Sequence, residues 1–143
     1  MSGSFLGRTD GVATAVCPCG GVPQGSPLGS CCGPVLSGEV VASTAEALMR
    51  SRYAAYALGD ADHLFRSWHA RTRPDDVTPD PRLRWVGLTV LDVVGGGVED
   101  AEGAVEFRAQ WVSDDGGPLR RGEEHERSRF VRRAGRWVYL DEE

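Results

Sequence analysis

All four cysteines of this 143-residue chain fall within one short stretch, Cys17-Pro18-Cys19-Gly20 … Ser30-Cys31-Cys32-Gly33-Pro34. The first 38 residues carry nine of the nineteen glycines, four of the eight prolines and a single aromatic, Phe5. A segment so poor in apolar side chains cannot hold a shape by burial, and four thiolates around one metal ion would supply the missing order. Cys17 and Cys19 flank one proline, Cys31 and Cys32 are adjacent, and eleven residues separate the pairs. That spacing allows a small knuckle that turns back on itself, with glycines at 20, 21, 25, 29 and 33 to admit left-handed turns. Unliganded thiols, disulfides formed on isolation and a redox role for the vicinal pair Cys31-Cys32 are the competing readings. A structural zinc is favoured over them. Four cysteines fill the tetrahedron, so a catalytic zinc with an open position is disfavoured.

The compartment bears on that choice. Met1 to Asp10 lacks a basic start followed by an apolar run, and no stretch of the chain is long and apolar enough to cross a membrane. The expectation is a cytoplasmic protein, where clustered cysteines bind metals more often than they pair. Formal charge is −5, which argues against nucleic-acid binding. All sixteen basic residues are arginine and lysine, asparagine and isoleucine are missing, as a GC-rich genome would produce. Arginine clusters therefore carry little functional weight by themselves.

Composition divides the chain into a flexible tail (1–16), a zinc knuckle (17–38) and an α+β domain (39–143). Thr44 reads as a helix N-cap, Leu48, Met49, Tyr53 and Tyr56 form one stripe, and Gly59 is a stop. Asp60 caps a second helix with Ala61, Leu64, Phe65 and Trp68 as its apolar face and His63 solvated. From Leu83 the period falls to about two: a long β-prone run to Val94, then Val105, Phe107, Ala109 and Trp111 alternating with polar residues. A third strand spans about Glu123 to Arg132, Ala134-Gly135 is a hairpin turn, and Arg136 to Asp141 closes an antiparallel sheet. Trp85, Trp111 and Trp137 read as core.

The pattern Cys-Pro-Cys-Gly … Cys-Cys-Gly-Pro resembles the SEC-C motif, the small zinc tail first recognised at the C-terminus of the SecA translocase. The continuation Leu36-Ser37-Gly38 … Thr44-Ala45-Glu46-Ala47-Leu48-Met49-Arg50-Ser51-Arg52-Tyr53 is similar to the YchJ-like family of bacterial proteins. So are Trp68-His69, His125-Glu126-Arg127-Ser128-Arg129-Phe130 and Gly135-Arg136-Trp137. The resemblance implies a SEC-C knuckle, with zinc on Cys17, Cys19, Cys31 and Cys32, followed by a cone of helices and curved sheet of the nuclear transport factor 2-like type. One departure is plain: the insert Gly20 to Ser30 is longer than the usual one and lacks its lysine and its aromatic residue.

A cone of that type implies a cavity between helices and sheet, and Arg52, Tyr53, His69, His125, Glu126 and Ser128 are the polar residues expected near it. Strand alternation puts Glu126, Ser128 and Phe130 on one face and His125 and Arg127 on the other. Glu126 paired with Arg52 as a structural ion pair is favoured over Glu126 or His69 as a general base. The arginines at 127, 129, 132, 133 and 136 are expected to be neutralised by Glu123, Glu124, Asp141, Glu142 and Glu143. The preferred reading is a zinc-binding, non-catalytic binding or adaptor protein acting through protein contacts at the knuckle, with room for a small-molecule ligand in the cone. The rival is a hydrolase or isomerase working in that cavity.

Overall fold

The computed structural model describes residues 13–143. Most of the expected tail, 1–12, lies outside the described residues; at its end Ala15 and Val16 pair with Leu28 and Pro27. The helices are α1 (Gly33–Ser37), α2 (Ala45–Leu58) and α3 (Ala61–Arg66), preceded by a 3-10 turn at Leu28–Ser30. The strands are β1 (Leu83–Gly95), β2 (Glu102–Ser113), β3 (Arg121–Arg133) and β4 (Arg136–Glu142).

Local chemistry sets these boundaries. The Thr44 side chain accepts from the Ala47 N–H at 3.0 Å and Gly59 turns left-handed at φ 79°, which starts and ends α2. Asp60 accepts from the His63 N–H at 3.0 Å and caps α3. Ala134 and Gly135, at φ 52° and 82°, make the left-handed two-residue turn that matches strand twist.

The sheet is an antiparallel meander in the order β1-β2-β3-β4. Register shifts at Trp85/Gly87 and Val90/Asp92 in β1, and at Arg129/Phe130 in β3, bend it. Helices cover one face. Ala45, Leu48 and Met49 of α2 pack with Val105, Phe130 and Trp137 in one cluster. Tyr53 and Ala54 pack with Ala109 in a second. The segment after α3 is stitched to β4, with the His69 N–H donating to the Tyr139 carbonyl and the Tyr139 N–H to the Ser67 carbonyl, each at 2.8 Å. Trp85 and Trp111 are half-buried, and Trp137 is fully in the core.

Three expectations for the helical layer change. His63 is not solvated but 4% exposed, because α3 lies on α2 and brings it to Ser51, with Nε2 2.9 Å from Ser51 Oγ. Phe65 is exposed, and Arg73 stacks over its ring at 3.7 Å. Arg52 and Glu126 form no ion pair, for reasons given below.

Candidate metal centre and cone pocket

The knuckle is a short two-stranded turn. The Cys17 N–H donates to the Ser26 carbonyl and the Leu28 N–H to the Ala15 carbonyl, each at 2.9 Å. This brings the Cys17–Cys19 arm beside the 3-10 turn, and Cys31 and Cys32 follow it at the head of α1. The four Sγ atoms all lie within 4.8 Å of one another. Cys19 and Cys31 Sγ are 3.6 Å apart, far longer than an S–S bond, and all four cysteines are free thiols. A tetrahedron with metal–sulfur bonds of about 2.3 Å has sulfur–sulfur edges of about 3.8 Å. The cluster fits that shape.

Its electrostatics favour a cation as well. Hydrogen bonds with Cys17 and Cys32 hold the Cys19 thiol well below the usual thiol range. The reverse side of the same bonds, with burial, pushes Cys17 up to about 11 and Cys32 higher still. Cys17, Cys19 and Cys32 compete for protons, and a divalent cation would end the competition by replacing them. The Gly21 N–H points at Cys19 Sγ, 3.4 Å away, the kind of backbone donor that supports a ligating thiolate. Cys17, Cys19 and Cys32 are buried and Cys31 is half-exposed.

The knuckle does not stand apart from the domain. Cys17, Cys19, Leu28 and Cys32 share one packed cluster with Tyr53, Ala54 and Ala109, flanked by Trp85 and Phe107. Arg66 of α3 donates to the Leu36 carbonyl at 3.1 Å.

On the other side of Tyr53 and Ala109 lies a cavity of ≈ 290 Å³ between α2 and the concave face of the sheet. Of the six polar residues singled out in the sequence, Arg52, Tyr53, Glu126 and Ser128 line it. His69 and His125 do not. His69 sits beyond the end of α3, where the Arg71 N–H donates to Nδ1 at 3.0 Å and Arg133 Nη1 lies 2.7 Å from Nε2. His125 is on the outer face of the sheet, with Nε2 2.6 Å from Glu106. Alternation had separated His125 from Glu126, and the two faces are indeed those of a cone and its exterior.

Arg52 is buried, and its Nη1 donates to Ser67 Oγ at 2.7 Å and to the Leu64 carbonyl at 3.3 Å. Its guanidinium lies 4.7 Å from the Trp68 ring centre and 4.6 Å from that of Tyr139. Glu126 is held elsewhere: one oxygen, Oε2, accepts from Ser128 Oγ at 2.5 Å and from the Tyr139 hydroxyl at 3.1 Å. The aromatic pair takes the cation and the hydroxyls take the anion, so the two charges share a cavity without touching. Tyr56, Trp68, Trp85, Phe107 and Tyr139 also line the cavity, Trp68 from just beyond the end of α3 rather than from its expected apolar face, and nothing in the sequence marked them as walls.

On the surface Arg127 pairs with Asp92, Glu106 and Glu143, and Arg129 with Asp141. Arg132 instead donates to the Val98 and Asp100 carbonyls and covers Trp137, so the neutralising acids are only partly those expected.

A cysteine knuckle of the SEC-C type seated on a cone of the nuclear transport factor 2-like type defines the class. The family model described as YchJ, middle NTF2-like domain, matches residues 44–142. The chain belongs to this YchJ-like family. It is 47% identical over 130 residues to a UPF0225 protein of Streptomyces coelicolor, covering 91% of this chain and 96% of that one. A UPF0225 protein of Chromobacterium violaceum is 46% identical over 132 residues, covering 90% and 92%. Among solved structures, a SEC-C motif containing protein from Rhodopseudomonas palustris superposes with a TM-score of 0.71 at 36% identity, covering 89% of this chain and 96% of that one. Another, from Psychrobacter arcticus, gives 0.70 at 25% identity, covering 91% and 82%.

Proposed function

We propose that this chain is a zinc-stabilised, non-catalytic binding protein of the cytoplasm whose small-molecule ligand occupies the cone pocket. The metal is structural: four thiolates supply the whole tetrahedron and leave no position for a substrate. Cytoplasmic residence follows from the need to keep those thiols reduced. The observation that carries the binding role is the shared wall, in which Tyr53 and Ala109 pack against the cysteine cluster and also line the cavity. The metal then braces the pocket, which is what a binding site gains from a built-in ion. The cavity is poorly equipped for acid–base chemistry, since its buried cation lies between two rings and Glu126 is tied by two hydroxyls. This weighs against the hydrolase or isomerase reading.

A second surface serves a protein partner. Residues 22–25, at the tip of the knuckle between the cysteine pairs, are exposed on a rigid support, and Val22 is 55% exposed. The test of the main reading is a thermal-shift screen of the zinc-loaded full chain against small metabolites, repeated with Ser128→Phe, which fills the cavity. A ligand that binds the folded state raises the melting temperature in proportion to its saturation. Hits that disappear in Ser128→Phe support the reading. Hits that persist there place binding elsewhere and defeat it, and hits that are turned over make the chain an enzyme.

A further inference from the structure

The cone pocket is lined by the buried Arg52 and by Glu126, each with hydrogen-bonding capacity left over, and by the exposed Glu124. Arg52 is 6% exposed, has no carboxylate within 4.0 Å, and uses only Nη1 for the hydrogen bonds it makes among the described residues. Its Nε and Nη2 remain as donors. Glu126 takes both of its hydroxyl donors on Oε2 and leaves Oε1 as an acceptor. Both groups face the cavity, so a ligand that fills it and excludes water must offer each of them a hydrogen-bonding partner.

Charge decides what that can be. An anion on Arg52 would face Glu126 and also Glu124, which lines the same cavity. A cation on Glu126 would face the buried guanidinium. A neutral group with an acceptor beside a donor satisfies both and adds no charge to the pocket. The walls decide the shape. Trp85 meets Tyr53 and Tyr56 edge-to-face at 6.3 and 6.4 Å, and a cavity of ≈ 290 Å³ walled by aromatic rings admits a flat one- or two-ring body.

We propose that the pocket binds neutral, planar lactam heterocycles, rings of the pyrimidinone, purinone or pterin type, with the ring carbonyl on Arg52 and the adjacent N–H on Glu126 Oε1. This assignment rests on the pocket being the binding site. It requires no covalent step. Glu126 accepts, Arg52 donates, and the rings of the walls take the flat faces.

The experiment uses the zinc-loaded full chain and ligand-detected NMR, with uracil, hypoxanthine and pterin as probes. Purine and pyrimidine are the matched rings without a lactam edge, and benzoate and benzylamine are the charged controls. Lactams binding at least tenfold more tightly than purine and pyrimidine, with that preference lost in Glu126→Gln at an unchanged melting temperature, is the expected result. Arg52→Lys, which keeps the charge and loses the planar fork, should weaken lactams by a similar factor. Lactams that bind no better than purine, or that ignore Glu126→Gln, overturn the assignment. If benzoate or benzylamine instead binds and is excluded by Ser128→Phe, the ligand class is wrong while the pocket stands as a binding site. Probes of every class failing to bind would remove both.

Discussion

The carbonyl of Cys19 accepts a hydrogen bond from Arg50 Nη1 at 3.0 Å, while Arg50 Nε donates to Glu46 at 2.9 Å. One side chain on α2 thus reaches the main chain of a candidate metal ligand. Burial works against the Arg50 charge, yet Glu46 and the Cys19 sulfur outweigh it and hold its pKa above the usual arginine range. A four-thiolate site around a divalent cation carries net negative charge, and Arg50 is a cation placed to offset it.

Arg50→Ala is expected to loosen the knuckle before it harms the sheet. A charge-assisted bond at a half-buried position contributes about 1–2 kcal/mol, so zinc affinity should fall by about tenfold. Arg50→Lys should recover only part, because one ammonium cannot hold Glu46 and the Cys19 carbonyl in the same fork geometry. Competition with a chromophoric chelator reads the affinity directly. Unchanged zinc retention in both variants would show that the contact is incidental.

Removing the metal should unfold the knuckle and soften α2 with it. The cysteine cluster packs directly on Tyr53 and Ala54, so chelation of the reduced protein should lower its melting temperature and open hydrogen exchange in α2. Cobalt in place of zinc should give the visible absorption of tetrahedral thiolate. Burial ranks the candidate ligands: Cys17→Ser, Cys19→Ser and Cys32→Ser should each abolish binding, and Cys31→Ser, at the half-exposed corner, should leave a weak residual site. A protein whose melting curve is indifferent to chelator and cobalt would have no structural metal.

His63 makes stability depend on pH. The Ser51 hydroxyl donates to the Leu48 carbonyl at 2.7 Å, so it must accept from His63, which fixes the proton on Nε2. Nδ1 is then a buried acceptor with no partner among the described residues. Burial, with Arg66 nearby, lowers the His63 pKa to about 4. The unfolded chain binds the proton near pH 6.5, so it holds more protons than the folded one between those values. The contribution is therefore full above about pH 6.5, falls as the pH drops, and levels off below about 4, a total of about 3 kcal/mol. Urea unfolding at several pH values, compared with His63→Gln, isolates it from the carboxylates. Parallel curves for the two proteins would refute the linkage.

The limits of the sequence are visible in the same residues. Caps, stops and turns were legible because each is a local event: Thr44, Gly59, Asp60 and the Ala134-Gly135 pair act within a few residues of themselves. The alternation placing Ser128 and Phe130 inward was legible for the same reason, since strand period needs no partner. His63 was not. Its neighbours Asp62, Phe65 and Arg66 are all exposed, and only the seating of α3 on α2 buries it. Nor could one sequence say that Arg52 prefers Trp68 and Tyr139 to Glu126, because those residues come from two other elements. The four cysteines were legible as candidate ligands by spacing, but their packing on Tyr53 is a tertiary fact.

A last prediction concerns how closely the sheet approaches α2. Gly96, in the turn after β1, has φ 74°, and its carbonyl accepts from the Ala45 N–H at 2.9 Å. A Cβ built there would lie 2.6 Å from the Ala45 Cβ, at the first residue of the helix. Gly96→Ala therefore suffers twice, from a left-handed backbone and from a contact that neither main chain can relieve. The first costs about 1–2 kcal/mol and the second about 1–3 kcal/mol. Gly116 separates the two effects: its φ is 83°, yet nothing lies within 4 Å of the added atom. Gly116→Ala should cost only the backbone part, so the urea midpoint should fall much further for Gly96→Ala, at the same m-value. Because Gly96 holds the start of the helix that carries Arg50, Arg52 and Tyr53, its variant should also weaken zinc retention, and the Gly116 variant should not. Equal midpoints for the two would mean that the turn moves away from α2 at little cost.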